Sequence, residues 1–352
     1  MQGFDSNATF WLLAGLIGMY IAGRAMLDAL VKPATSSSMR LGWTMATAVA
    51  CVTFLAVLMD RPAVAVALLF AVSVASLSLV TGTSAVMTPV PALPPVARRV
   101  WVFLLPIAVL TLLAGFSAKL TLTHAAILAM QGALVLFVRT DPRNSTDEDW
   151  AVPVLQFDHT VQPRTHQPLW WRLELVLSIL LLLISGYLVI DAARVPSSPV
   201  AYFPDTLLAV AILSPMLLLP MLGIAGMFAQ RGRGRVIPGA AVTMTILCLC
   251  VVLPLAVCLW TVRPTLLRLA GWAIPGLASA DPAAIADASP LNPPMTFPMP
   301  VWRVDTIVLL ILSLAALPVA LGRCSVGRRE GVALIVLYAL YLMANALLAT
   351  RY

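Results

Sequence analysis

Charge is scarce in this chain. Asp, Glu, Lys and Arg together make up 11% of its 352 residues, where a soluble globular protein carries about 25%. That shortage excludes a soluble domain of any size. Histidine and cysteine are also rare, at three and five residues. Cys248 and Cys250 are two apart and project to different sides of a helix, and no spacing suggests a disulfide framework or a zinc site. His159 and His166 flank Pro163 in a polar stretch without a carboxylate frame. Neither a His-Glu-x-x-His nor a Gly-x-Ser-x-Gly pattern occurs, so no catalytic residue, metal ligand or cofactor site is assigned and an enzyme is not expected. No Lys or Arg precedes the first apolar run, which begins near Phe10, so the expected start is a span rather than a cleavable signal.

Apolar residues are abundant, at 61% with a mean hydropathy of +0.97. They come in repeated runs of about 18–25, each able to cross roughly 30 Å of hydrocarbon as a helix. Spanning strands would be about 10 residues long and alternate in polarity. The expected fold is therefore all-α and polytopic. Ten spans are expected, at 10–30, 40–59, 62–82, 100–118, 122–139, 171–191, 204–229, 236–260, 303–322 and 331–349. The formal charge of +7 does not point to nucleic acid, because the basic residues sit in short loops between spans. Alternating those loops puts fifteen Lys and Arg on one side and seven on the other. The positive-inside rule then places both termini on the outer face. The run Arg231-Gly-Arg-Gly-Arg235 is the strongest anchor.

Two loops are long. Residues 140–169 form a polar inner linker containing Asp147, Glu148 and Asp149. Residues 263–300 form an outer loop, Pro-rich over 275–300, with a short helix expected at 281–288. The linker divides the chain into a first five-helix unit, 1–139, and a second, 170–352. An odd number of spans per unit forces the second copy to be inverted, so two inverted five-helix repeats are expected.

The segment from Gly327 to Leu342 resembles the last helix of the sodium/calcium exchanger (cation/Ca2+ antiporter) family. It opens with Arg328-x-Glu330-Gly331 and ends with Tyr338-x-x-Tyr341. Residues 121–137 resemble its counterpart in the first half, with His124 and Ala125 at the positions of the acid and the glycine. The family's signatures are Gly-x-Ser-x-Pro-Glu and Gly-Ser-Asn-x-x-Asn, once in each half. Aligned without gaps, Met216 to Met221 falls on the first motif, keeping Pro220 and replacing Glu by Met221. Thr243, Met244 and Thr245 fall on Gly-Ser-Asn, with Cys248 on the later Asn. In the first half, Thr44 to Val49 falls on the first motif, with Val49 at the Glu, and Ser73 and Ser76 fall on the second. Val49 and Met221 lie 172 positions apart, as do Ser73 and Thr245; His124 and Glu330 lie 206 apart, the surplus matching the long outer loop.

The resemblance implies an exchanger fold with a candidate central site formed by Thr47, Ala48, Val49, Ser73, Ser76, Pro220, Met221, Thr243 and Thr245. It also marks a degenerate member, because both signature glutamates are replaced by apolar residues. Ca2+ takes about six to eight oxygens, carboxylates among them. Hydroxyls alone do not balance a divalent charge in a low dielectric. The expected function is membrane transport through an altered, uncharged site, and not ordinary Ca2+ exchange. The alternative is a transport-dead relative serving as a structural or regulatory membrane subunit. The lipid bilayer is the expected partner under both, with a membrane protein partner under the second. No substrate or ion is assigned. The expected location is a bacterial inner membrane. The bland readings stand beside these: membrane hydroxyls commonly bond to their own backbone, Pro220 can simply kink its helix, His124 can be merely interfacial, and Arg24 and Asp28, four apart, can pair with each other.

Overall fold

The computed structural model describes residues 6–31, 38–90, 102–116, 119–140, 168–194, 203–230, 236–273, 292–320 and 325–349. The acidic trio at 147–149, His159, His166, the arginines at 231–235, the 281–288 segment and Cys324 lie outside these residues.

Among the described residues, ten helices follow one another at the expected places. They are α1 (Ser6–Val31), α2 (Ser38–Leu58), α3 (Pro62–Met87), α4 (Leu104–Gly115), α5 (Leu122–Thr140), α6 (Pro168–Ala192) and α7 (Asp205–Gln230). Then come α8, built from Val236–Leu247, Cys248–Val252 and Leu253–Ala273, α9 (Met299–Ala320) and α10 (Arg328–Ala349). Eight of them are long and apolar enough to cross a bilayer, while α4 and α5 are shorter apolar helices. The chain is an all-α, polytopic membrane protein.

The turn between α2 and α3 is tight because of its residues. Asp60 adopts a left-handed backbone, φ 64°, which a short polar side chain tolerates. Pro62 then opens α3 at a position where its missing N–H costs nothing. At this end of the bundle Arg263 donates to Asp60 at 2.8 Å, Arg61 pairs with Asp205, and Arg194 caps the Met59 carbonyl.

The loops segregate to two ends. At the end that carries Asp60, strand β1 (Lys119–Leu120) pairs antiparallel with β2 (Met295–Thr296). At the other end, Val90 bridges Val326 and Thr88 donates to the Ala229 carbonyl at 2.5 Å. Successive helices therefore run alternately up and down, as ten crossings require. This two-residue ladder and the single Val90–Val326 bridge are the only β structure among the described residues, and no periodicity in the sequence announces them.

Two helices form the axis. In α3, 89% of the span is buried, and in α8, 78%; the other spans are between 17% and 61% buried. Both are rich in Ala, Val and Thr, and α3 also in Ser, which lets neighbours approach closely. Each holds one π-helical turn, at Ser76–Val80 and at Cys248–Val252, whose starts are 172 positions apart. The surrounding helices show large apolar side chains outward, such as Met130 and Phe137 on α5, as lipid contact demands. Small residues set the crossings. A Cβ at Gly42 would lie 2.9 Å from the Ala240 carbonyl, and one at Gly82 would lie 2.8 Å from that of Gly331. Gly115 leaves room for the Trp302 indole, which stacks on Phe297 at 4.1 Å and meets Phe70 edge-on at 4.6 Å.

Candidate functional site

Most of the sequence-derived site residues come together where α2, α3, α7 and α8 cross. Ala48, Val49, Ser73, Ser76, Pro220, Met221, Thr243 and Thr245 are all buried. The π-helical turns lie at the same crossing. Such a turn widens a helix by one residue and often marks a functional stretch. Thr47 stands apart: it is exposed, and its hydroxyl returns to the Trp43 carbonyl at 2.8 Å. On the helical period, Thr44 and Ala48 share the inner face of α2 with each other and not with Thr47.

The hydroxyls at the crossing are satisfied within the protein. Ser73 donates to the Leu69 carbonyl at 2.7 Å and Ser76 to the Ser73 carbonyl at 3.0 Å. Thr243 donates to Gly239 at 2.8 Å, and Thr245 to Ala241 at 3.0 Å. One direct link joins the two axial helices, the Ser76 and Thr245 hydroxyls 3.1 Å apart. Thr245 also lies 3.5 Å from the carbonyl of Ser73. Around them, Val49, Met221 and Cys248 are wholly enclosed. Pro220, inside α7, fits against Gly23, where a Cβ would lie 3.1 Å from the ring. Chemically the crossing offers backbone-bonded hydroxyls and apolar side chains, with no carboxylate among these residues.

Other candidate polar residues have structural partners. His124 and Thr121 form a cap on α5, with the Thr121 amide 3.3 Å from His124 Nδ1 and the His124 amide 3.5 Å from the Thr121 hydroxyl. Arg24 and Asp28 pair at 3.5 Å along one face of α1. Cys51, Cys248, Cys250 and Cys258 are free thiols. Among the described residues there is no group of three His, Cys, Asp or Glu able to hold a metal ion.

A second polar group lies elsewhere in the bundle. Asp305 sits near the start of α9, as its sequence position implies, yet it is 2% exposed. Beside it are Tyr341 and Asn345 of α10. A little further along α10, Tyr338 faces Ser214 of α7. All are buried. The sequence does carry a signal for this group. Tyr338, Tyr341 and Asn345 are spaced by three and four, a single polar stripe on an otherwise apolar helix.

No known family profile matches the chain, and no curated protein does. Solved structures do. The sodium-calcium exchanger NCX_Mj soaked with 10 mM Na+ and 10 mM Sr2+ matches with a TM-score of 0.61 and 14% identity, over 96% of this chain and 97% of that one. The same exchanger soaked with 2.5 mM Na+ and 0.1 mM Ca2+ gives 0.61 and 14%, over 96% and 98%. Soaked with zero Na+ and Ca2+, it gives 0.57 and 15%, over 95% and 97%. At this identity the likeness is one of fold: the chain has the fold of a sodium-calcium exchanger along nearly its whole length.

Proposed function

We propose that this exchanger-like membrane protein does not exchange Ca2+, and that its centre is a closed, uncharged core serving a structural or regulatory membrane subunit. The carrying observation is the hydrogen bonding at the crossing. Each hydroxyl of Ser73, Ser76, Thr243 and Thr245 already has an acceptor inside the protein. Those oxygens keep their lone pairs, but neutral hydroxyls alone do not offset a divalent charge in a low dielectric. Where two carboxylates would offset a divalent charge, Val49 and Met221 supply none. The same residues, read against the exchanger pattern, make the chain a degenerate relative lacking both signature glutamates.

The second reading is transport of a monovalent ion or an uncharged solute through the altered centre. The π-helical stretches in α3, α7 and α8 and Pro220 favour it, because irregular backbone within a helix is a device of moving helices. Purified protein in liposomes separates both readings from ordinary exchange. An outward Na+ gradient is expected to drive no Ca2+ uptake above protein-free vesicles, and robust uptake overturns the proposal. Solute flux without Ca2+ uptake selects the second reading.

The architecture supports an inverted duplication of 1–139 and 170–352 about the linker at 140–169. Helix α5 begins at Leu122 and α10 at Arg328, 206 positions apart, the offset of His124 and Glu330. The segment before α5 pairs with the one before α9 at one end. At the opposite end, the segment before α10 pairs with the one before α4. Basic-loop asymmetry supports both termini on the outer face of a bacterial inner membrane. Single cysteines placed at Ser145 and at Ile285 are expected to react with an impermeant thiol reagent from opposite sides.

A further inference from the structure

Helices α9 and α10 meet at one end of the bundle and part at the other. Near the start of α9, Asp305 bonds to Tyr341 and Asn345 of α10. Toward the end where Val90 bridges Val326, the two helices separate around a cavity of about 430 Å3. Leu77 and Thr81 of α3 form its floor, Ala316 and Val319 of α9 one wall, and Ala333 and Leu337 of α10 the other. Ala315, Pro318 and Ala333 in its lining are exposed. The cavity therefore opens outward, between two spans that are 39% and 17% buried. Its size is that of a ligand site, in the range of about 300–1,000 Å3.

The lining decides what can fill it. The walls are hydrocarbon, and the Thr81 hydroxyl of the floor already donates to the Ser76 carbonyl at 3.2 Å. Water needs about two to four polar neighbours to stay in such a place, and the walls offer none. An empty cleft would forfeit dispersion contacts along every wall. Lipid tails bathe the exposed faces of both helices and enter without stripping water from any polar group, so the fitting occupant is an acyl chain. The polar end of the cleft selects the head group. Glu330 is the one charged side chain among the described residues that line it, and it is exposed at the mouth beside Ser325. Arg329 lies one turn before Ala333, on the flank of the same face. Glu330 and Arg329 are both exposed, and neither is in a salt bridge among the described residues. A carboxylate beside a guanidinium complements a zwitterionic head, the ammonium on one and the phosphate on the other. A purely anionic head would meet the carboxylate as a like charge. Glu330 also suits the first turn of a helix electrostatically, but that role calls for no cavity beside it.

We propose that the cleft between α9 and α10 binds one zwitterionic phospholipid, with an acyl chain held against α3, the ammonium on Glu330 and the phosphate on Arg329. Leu77 of the floor belongs to the π-helical turn of α3, so the bound chain bears on the helix whose Ser76 links to Thr245. Nothing in this assignment depends on whether the centre is closed or transports a solute.

The test is thermal unfolding of the purified, delipidated full-length protein in detergent, titrated with dioleoylphosphatidylethanolamine or with dioleoylphosphatidylglycerol. The ethanolamine lipid is expected to raise Tm saturably, by about 2–5 °C at a hundred times its midpoint. Its midpoint is expected to lie about tenfold below that of the glycerol lipid. Glu330→Gln is expected to raise the ethanolamine midpoint about tenfold, the loss of one charge-assisted contact, and not to raise the glycerol midpoint. Ala316→Phe puts a ring into the cleft and is expected to abolish the saturable shift. Should Ala316→Phe fail to fold, Ala333→Phe on the exposed wall replaces it. A Tm that never saturates with the ethanolamine lipid overturns the site, as does a saturable shift that survives the filled cleft. Equal midpoints for the two lipids, or an ethanolamine midpoint unmoved in Glu330→Gln, also overturn it, because the head group is then not read. Changes at Val49 or Met221 are expected to leave the lipid shift intact, which keeps this result separate from the flux measurement.

Discussion

Two buried polar regions in one bundle are built on opposite principles. At the crossing of α3 and α8, Ser73, Ser76, Thr243 and Thr245 each bond to a carbonyl three or four residues back on their own helix. Between α9 and α10, Asp305, Tyr341 and Asn345 instead bond to one another across the two helices. A membrane interior penalises an orphaned polar group more than an absent one. Hydroxyls that serve their own backbone therefore leave a single helix self-sufficient, and side chains that bond across helices tie two together. In this chain the residues aligned with the exchanger motifs fall in the first class. The second contains Tyr341 of the exchanger-like last helix.

The comparison can be broken most decisively at the centre. The double change Val49→Glu and Met221→Glu returns acids to enclosed positions. Each is expected to cost about 2.5–3.5 kcal/mol on insertion scales for an acid at a helix centre, seen as lost yield or a much lowered Tm. A double variant with unaltered stability would mean the crossing can hydrate or bind cations. Next in size is the contact that joins α3 to α10. Gly82 and Gly331 meet backbone to backbone, so Gly331→Leu should destabilise by about 1–3 kcal/mol through overpacking. An unperturbed Tm there would show that α10 sits less closely on α3 than described.

The last two changes sharpen the contrast directly. Tyr341→Phe removes a hydroxyl that bonds the Asp305 carboxyl of the neighbouring helix. It should cost about 1–3 kcal/mol, since it leaves a buried carboxyl short of a partner. Thr245→Val removes the donor to Ala241 and the link to Ser76. It should cost about 0.5–1.5 kcal/mol, the net worth of a satisfied hydrogen bond. Equal losses in the two variants would erase the distinction between the regions. Unfolding curves in detergent under matched conditions measure both.

Much of the fold was legible in the sequence because bilayer thickness imposes a length on every apolar run. All ten helices lie where hydropathy places them, and the short Asp60-Arg61-Pro62 turn marks its own position. The two-residue ladder at Leu120 and the single bridge at Val90 were not legible, since pairings of that length leave no periodicity. The π-helical turns were equally silent, because an inserted residue in a uniformly apolar helix changes no pattern. At the site, the motif alignment singles out residues on α2, α3, α7 and α8, all but Thr47 buried. Thr47 lies on the outer side of its helix, a matter of rotation that alignment does not encode. Asp305 was legible as a helix-end acid but not as a buried one. Its burial comes from tertiary packing, with Trp302 and Phe297 over one side and the distant α10 against another.

The most direct measurement of the central claim is a high-resolution experimental density map of the protein in a lipid environment containing both NaCl and CaCl2. The account predicts continuous side-chain packing at the crossing, with Ser76 and Thr245 bonded to each other and no ordered water or ion between Val49 and Met221. An ion or a chain of waters within bonding distance of the Ser73, Ser76 or Thr245 hydroxyls would contradict it.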